Sequence, residues 1–179
     1  PIAGKRWTRK RKQKILLSRV NGAKLLLKEL RRDKKKIKTF ISASAVGYYG
    51  SAPNNSILDE DSPPGNDFLS HVCLEWERAA FLFESLNIAE QTTIVRLGII
   101  LDKKSGALKT MSTPVQYGLG SALGQGEQWF PWIHINDAAA MIKYILLNRL
   151  SGVYNAVSGT DTTNKQVMKA IAQTLNRRL

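Results

Sequence analysis

Four short apolar runs, set between stretches of helical periodicity, constrain this chain more than any other feature. IKTFISAS (37–44), TTIVRLGIIL (92–101), WFPWIHI (129–135) and VYNAV (153–157) are short and rich in β-branched or aromatic residues. A continuous apolar run of strand length hides both faces of a strand, so each reads as buried strand or extended segment. Leu16, Val20, Ala23, Leu27 and Leu30 recur at spacings of four, three, four and three. This predicts one face of a helix from Thr8 to Arg32 with Thr8 as its N-cap. Asp67 is placed to cap a helix with Phe68, Val72, Trp76, Ala79 and Phe83 on one face. Asn136 is placed to cap a third, containing Ala140, Ile142, Tyr144 and Leu147, and Thr163 precedes a last one with Val167, Ala170, Ile171 and Leu175 inward. Residues 47–66 read as a long loop, and 102–127 as a Gly-rich irregular stretch with a short helix broken near Pro114. Alternating helices and continuous apolar strands predict an α/β fold with a parallel sheet.

Composition narrows the function. Of 179 residues, 43% are hydrophobic and 23% charged, which is globular. No apolar run reaches the roughly 18 residues that span a bilayer, and the basic start lacks the apolar core of a secretory signal. One cysteine, Cys73, excludes an internal disulfide and a cysteine-rich zinc site. A reducing compartment, the cytoplasm by default, is expected. Charge is uneven: residues 1–38 carry 16 Lys and Arg against Glu29 and Asp33, a net of +14, while residues 39–179 carry 11 against 12 acids. The basic segment has two readings, a solvated helix face or a surface for nucleic acid. The apolar stripe favours the first, and aromatic residues for base stacking are lacking beyond Trp7.

Several side chains can carry chemistry, each with a structural alternative. Ser44 ends a strand. Tyr48 and Tyr49 follow it as candidate acids or packing rings. Cys73, beside Leu69, Val72 and Trp76, reads as a reactive thiol or an inert core cysteine. His71 is a candidate base on a helix, and His134 is expected to be a satisfied buried imidazole. The two histidines have no metal-ligand spacing, so no metal is expected. Asp59, Glu60 and Asp61 form either an acid/base set or a solvated turn. Arg96 reads as a partner for a substrate phosphate or carboxylate, or as half of an ion pair. Trp129, Phe130 and Trp132, near Gly118, Gly120, Gly124 and Gly126, read as a substrate loop or as core under a mobile loop.

ISASAVGYYG (41–50) resembles the strand and catalytic-serine loop of extended short-chain dehydrogenases/reductases. RVNGAKLLLKEL (19–30), IVRLGIIL (94–101) and WFPWIHINDAAAMI (129–142) resemble further segments of that family, in the same order. PIAGKRWTRKRKQ at the start and DFLSHVCLEWERAA (67–80) are most similar to its atypical, sugar-nucleotide epimerase-like subgroup, the NAD-dependent epimerase/dehydratase-like proteins.

The resemblance implies a partial Rossmann-type, doubly wound parallel sheet with helices on both faces, plus part of a small C-terminal substrate-binding region. Residues 1–101 are expected to form the C-terminal half of the NAD(P)-binding domain, and 102–179 a substrate-side loop and mixed α/β region packed on it. No GxGxxG or GxxGxxG is present, so the chain is expected to lack the N-terminal glycine-rich part and the C-terminal end. NADP or NAD is the implied cofactor of the intact protein. Arg19, Ser42, Ala43, Ser44, Gly98 and Ile99 are implied on the cofactor side, with Tyr48, Arg96 and Trp132 facing a nucleotide-sugar type of small-molecule substrate. Ser44 matches the catalytic serine. The family's Tyr and Lys fall on Leu69 and Cys73, and Arg19 falls where many relatives carry Asn. The resemblance therefore implies either an NAD(P)-dependent epimerase or oxidoreductase with an atypical site, or a non-catalytic cofactor- or ligand-binding protein. Apolar edges left by the absent parts lead us to expect aggregation or homodimer formation.

Overall fold

A computed structural model describes residues 6–51 and 57–178. The elements run α1 (Arg9–Arg32), β1 (Ile37–Ala45), a 3-10 turn (Val46–Tyr49), α2 (Phe68–Ser85), β2 (Ala89–Leu97), β3 (Ile99–Leu101), α3 (Gly106–Gln116), β4 (Trp132–His134), α4 (Ile135–Leu147), β5 (Gly152–Ala156) and α5 (Asn164–Thr174). The arrangement is α/β, Rossmann-like, with parallel sheets flanked by helices. One sheet has the order β1-β2-β5, and β3 pairs with β4 in another. The described residues group into two compact units: one takes residues up to 51, Ile57–Arg96 and Ile142–Tyr154, the other Leu97–Met141 and residues from Asn155 on.

In the first unit Thr8 caps α1 by accepting the Arg11 N–H at 3.3 Å. Ile15, Val20 and Leu27 are the most buried positions of that helix, while Leu16, Ala23 and Leu30 are half-buried. Leu27, Phe83 and Ala89 form a core with Ala23, Leu30, Ile37, Phe40 and Ile88 against it. The Phe40 and Phe83 rings stack with centroids 3.7 Å apart. Asp67 caps α2, accepting from Ser70 N at 2.9 Å and Ser70 Oγ at 3.0 Å. The Ser70 backbone N–H is the main cause holding the Asp67 carboxyl below its ordinary 3.8. Asp67→Ala is expected to cost about 1 kcal/mol at neutral pH. A depressed folded pKa gives stability that is present above 3.8 and lost as pH falls through the lower folded value. Denaturant melts of both proteins at neutral and strongly acidic pH check this, since the difference between them shrinks in acid.

In the second unit β3 and β4 run parallel, with Ile99 opposite Trp132, Ile100 opposite Ile133 and Leu101 opposite His134. Val115, Phe130, Val167, Met168, Ile171 and Ala172 form its core. Thr163 caps α5 in a capping box with Gln166.

Four expectations need correction. The run 92–101 is not one strand. At Gly98 the chain leaves the first sheet, donating its N–H to Ala156 O at 3.0 Å, and Ile99 donates to Pro131 O at 2.7 Å. A Cβ on Gly98 would lie 2.6 Å from Pro131 O, so only glycine fits this close backbone approach. Pro114 does not break a helix but sits inside the last turn of α3, where its carbonyl accepts from Tyr117 and Leu119 as the helix closes. Asn136 does not cap α4, which begins at Ile135; instead His134 Nδ1 accepts the Asn136 N–H at 3.2 Å. His134 is accordingly exposed rather than buried, because β4 ends there and its imidazole turns to the helix start.

Candidate functional site

The serine strand, the face of α2 and β2 meet in one buried polar network within the first unit. Alternation along β1 buries Ser42 and Ser44 and exposes Ala43. Ser42 Oγ donates to Ala43 O at 3.1 Å. Ser44 Oγ donates to Glu77 Oε1 at 2.6 Å. Arg96, from β2, forks onto the same carboxylate, with Nε to Oε1 and Nη2 to Oε2, each at 3.0 Å. Its Nη1 donates to Tyr49 Oη at 2.8 Å and to Glu60 O at 3.1 Å. The guanidinium also lies 3.5 Å from the centroid of the Tyr48 ring. Ser44, Glu77 and Arg96 are 2%, 4% and 3% exposed, so the pair is desolvated and its geometry must satisfy nearly every polar atom. Burial works against the Arg96 charge, but the Glu77 carboxylate and Tyr49 hydroxyl outweigh it and hold the guanidinium above its ordinary value.

Arg96 makes a buried ion pair. Tyr48 and Tyr49 pack against its guanidinium, and with Cys73 they form a small core. Glu60 takes part through its backbone carbonyl, while Asp59 closes an exposed turn with Ser62. The Ser62 hydroxyl holds the Asp59 carboxyl below its usual value. Gly50, at φ +67°, lets the chain turn out of the tyrosine loop.

Leu69 and Cys73 face that loop: a Cβ on Gly47 would sit 3.8 Å from Leu69 Cβ and 3.9 Å from Cys73 Sγ. Burial, with the Glu77 carboxylate adding to it, pushes the Cys73 thiol above its ordinary 9.0. The thiol is thus neutral and enclosed. In native protein Cys73 is expected to resist a thiol reagent at mildly alkaline pH and to label fully in denaturant; rapid native labelling would show the site open. Arg19 is half-buried, with Nη1 on Ile15 O and Ser18 Oγ, each at 3.2 Å, and its guanidinium 5.6 Å from the Trp76 ring. His71 is exposed on α2.

Sequence reasoning missed Glu77, the hub of the network. The signal was there: Leu69, Cys73 and Glu77 are four apart and share one helix face. An acid on the stripe that faces the serine strand requires a buried partner.

The second unit holds Gly98, Ile99 and Trp132. Trp132 lines a cavity of about 680 Å³ with Leu101, Thr162, Val167, Ile171 and Leu175. Its Nε1 donates to Thr162 Oγ1 at 3.4 Å, beside a hydroxyl chain through Thr160 to Ser158. The three aromatics do not form one loop edge: Phe130 is in the core, Trp129 is exposed and only Trp132 lines the cavity. Among the described residues, no group of three His, Cys, Asp or Glu side chains is placed to hold a metal, and no helix is long and apolar enough to cross a membrane.

No family model matches the chain. It is 38% identical over 181 residues to the epimerase family protein YfhF of Bacillus subtilis, covering 98% of this chain and 59% of that protein. An epimerase family protein of Staphylococcus aureus is 40% identical over 152 residues, covering 84% of this chain and 50% of that one. The chain thus spans between half and three-fifths of the curated relatives it matches. A human epimerase family protein solved with NADPH superposes with a TM-score of 0.88 at 33% identity, covering 97% of this chain and 58% of that one. A nucleoside-diphosphate sugar epimerase from Corynebacterium glutamicum gives 0.81 at 31%, covering 97% and 38%. At this identity over nearly its whole length, the chain belongs to the epimerase family, the epimerase-like branch of the atypical short-chain dehydrogenases/reductases.

Proposed function

We propose that this chain supplies the nicotinamide-side half of an NAD(P)(H)-binding, epimerase-like protein that lacks the usual proton-transfer dyad. The observation that carries the reading is the Ser44 hydroxyl, which donates to Glu77 while Leu69 and Cys73 stand at the dyad positions. Leu has no proton to exchange, and a neutral buried thiol is no cation. The similarity to the NADPH-bound human protein supports a nicotinamide cofactor.

The donor set fits the nicotinamide end of such a cofactor. In this reading Arg19, Ser42 and the exposed Ala43 are cofactor-side residues of the first unit; Gly98 and Ile99 keep the same assignment within the second unit taken by itself. No glycine-rich turn for the pyrophosphate is present in these 179 residues. A bound nicotinamide supplies hydride transfer; the protein's part is to bind and orient it. Arg96 and Tyr48 shape the ground beneath the serine loop, holding Ser44 with its proton turned to Glu77. Trp132 forms the apolar wall of a substrate-side cavity suited to a small molecule of the nucleotide-sugar type. Residues 1–101 and 102–179 are assigned to the cofactor side and the substrate side, and the protein to a reducing compartment such as the cytoplasm, as a homodimer.

The filled dyad positions also support a second reading, a non-catalytic protein whose cofactor sets a conformation. The test uses the natural-length protein with NADPH and a panel of carbonyl compounds, comparing wild type with Ser44→Ala. NADPH binding without Ser44-dependent turnover supports the non-catalytic reading. Turnover abolished by Ser44→Ala, with folding intact, rejects it and makes Ser44 catalytic.

A further inference from the structure

We propose that the solvent face of α1 is a docking surface for the phosphate backbone of duplex nucleic acid. A helix turns about 100° per residue. On that geometry Lys10, Lys14, Lys24, Lys28, Arg31 and Arg32 fall in one stripe about 100° wide. All six are exposed. The stripe also holds Gln13, Leu17 and Asn21, and no acid. The one acid of the helix, Glu29, lies beside it and pairs with Arg32 at 2.6 Å. Lys12 and Arg19 belong to other faces, over Phe68 and Trp76. The concentration of charge seen in the sequence is thus a directional surface.

The surface also has relief. Lys24, Lys28, Arg31 and Arg32 surround a depression of about 500 Å³ whose apolar lining is Leu27 and Leu82. Cations around a concavity keep their charges at a rim where a phosphate can approach several at once. From Lys10 to Arg32 the stripe is about 33 Å long at 1.5 Å per residue. A duplex carries one negative charge per about 1.7 Å of axis, so a segment as long as the stripe offers more phosphates than the stripe has cations, and of the opposite sign.

Other occupants fit less well. The stripe has no aromatic residue for stacking an unpaired base. Leu17 alone gives it no apolar face to insert into a lipid surface. A second copy would set six cations against six. The surface does not depend on the cofactor reading, since it uses none of those residues except through the shared helix.

The test is fluorescence anisotropy of a short mixed-sequence duplex against the full chain as salt is varied. Affinity is expected to fall with a log–log slope of about −4 to −5, from the four to six phosphates the stripe can neutralise. Lys24→Gln, Lys28→Gln and Arg31→Gln together should lower that slope by about three, with helix content unchanged. Lys103→Gln with Lys104→Gln, on the second unit, should leave it unchanged. No binding at low salt, a slope near zero, or a slope indifferent to the triple substitution overturns the proposal. Tighter binding to phosphatidylserine vesicles or polyglutamate than to the duplex overturns it too, and assigns the face to a lipid or an acidic protein.

Discussion

Arg96→Met is expected to lower stability by about 3–5 kcal/mol, because it leaves the Glu77 carboxylate charged and buried with only Ser44 as donor. For a chain of this size that corresponds to a fall in Tm on the order of 10 °C. Glu77→Gln should cost less than Arg96→Met, since the amide keeps a hydrogen-bond acceptor for Ser44. It still leaves the guanidinium with no counter-ion. The double substitution Glu77→Met with Arg96→Met removes both charges together and should recover part of the single loss. Thermal melts of the four proteins give the coupling energy. Additive losses would show that the pair does not act as a unit, and that the 3.0 Å fork seen here is not what holds the serine loop.

Phe83→Ala should be comparably severe. Phe83 is 0% exposed, stacks on Phe40 and packs with Leu27 and Ala89, so truncation opens a cavity between α1, α2 and the strand ends. The expected loss is about 3–5 kcal/mol, and Phe83→Leu should restore much of it by refilling the volume. Denaturant midpoints at constant m-value check both. A loss below about 1 kcal/mol for the alanine form would mean the site collapses freely, against the dense packing described. Arg96 and Glu77 form a polar joint under the site, and Phe83 belongs to the apolar core behind it.

Much of this was legible in the chain itself, because local chemistry specifies it. Thr8, Asp67 and Thr163 each cap the helix they precede, and a hydroxyl or carboxylate before an apolar stripe has little else to do. The strand Ile37–Ala45 lies within one residue of its expected end. What was hidden depends on partners distant in sequence. Gly98 ends β2 because the backbone at Pro131, 33 residues on, comes too close for a side chain. His134 lies outside the core because β4 is three residues long. Glu77 showed only as a polar residue on an amphipathic helix; its importance comes from Arg96, 19 residues on, and Ser44, 33 residues back. The candidate site was therefore readable as a set of positions, but not as a network.

The fork from Arg96 and the hydroxyl of Ser44 both end on Glu77, so β1, α2 and β2 are tied at one carboxylate. Neither Leu69 nor Cys73 takes part in this tie. In the proposed reading, cofactor binding and proton transfer therefore rest on separable groups.

The proposed half-site for a nicotinamide cofactor is tested most directly by ligand-induced stabilisation of the natural-length protein. Thermal unfolding with NADPH at about a hundred times its dissociation constant should show roughly 2.7 kcal/mol of added stability, a rise of several degrees. The rise should persist in Cys73→Ser, which leaves the cofactor-side groups untouched. An unfolding curve unmoved by NADPH and by NADH alike would contradict the account and leave the epimerase-like fold without its cofactor.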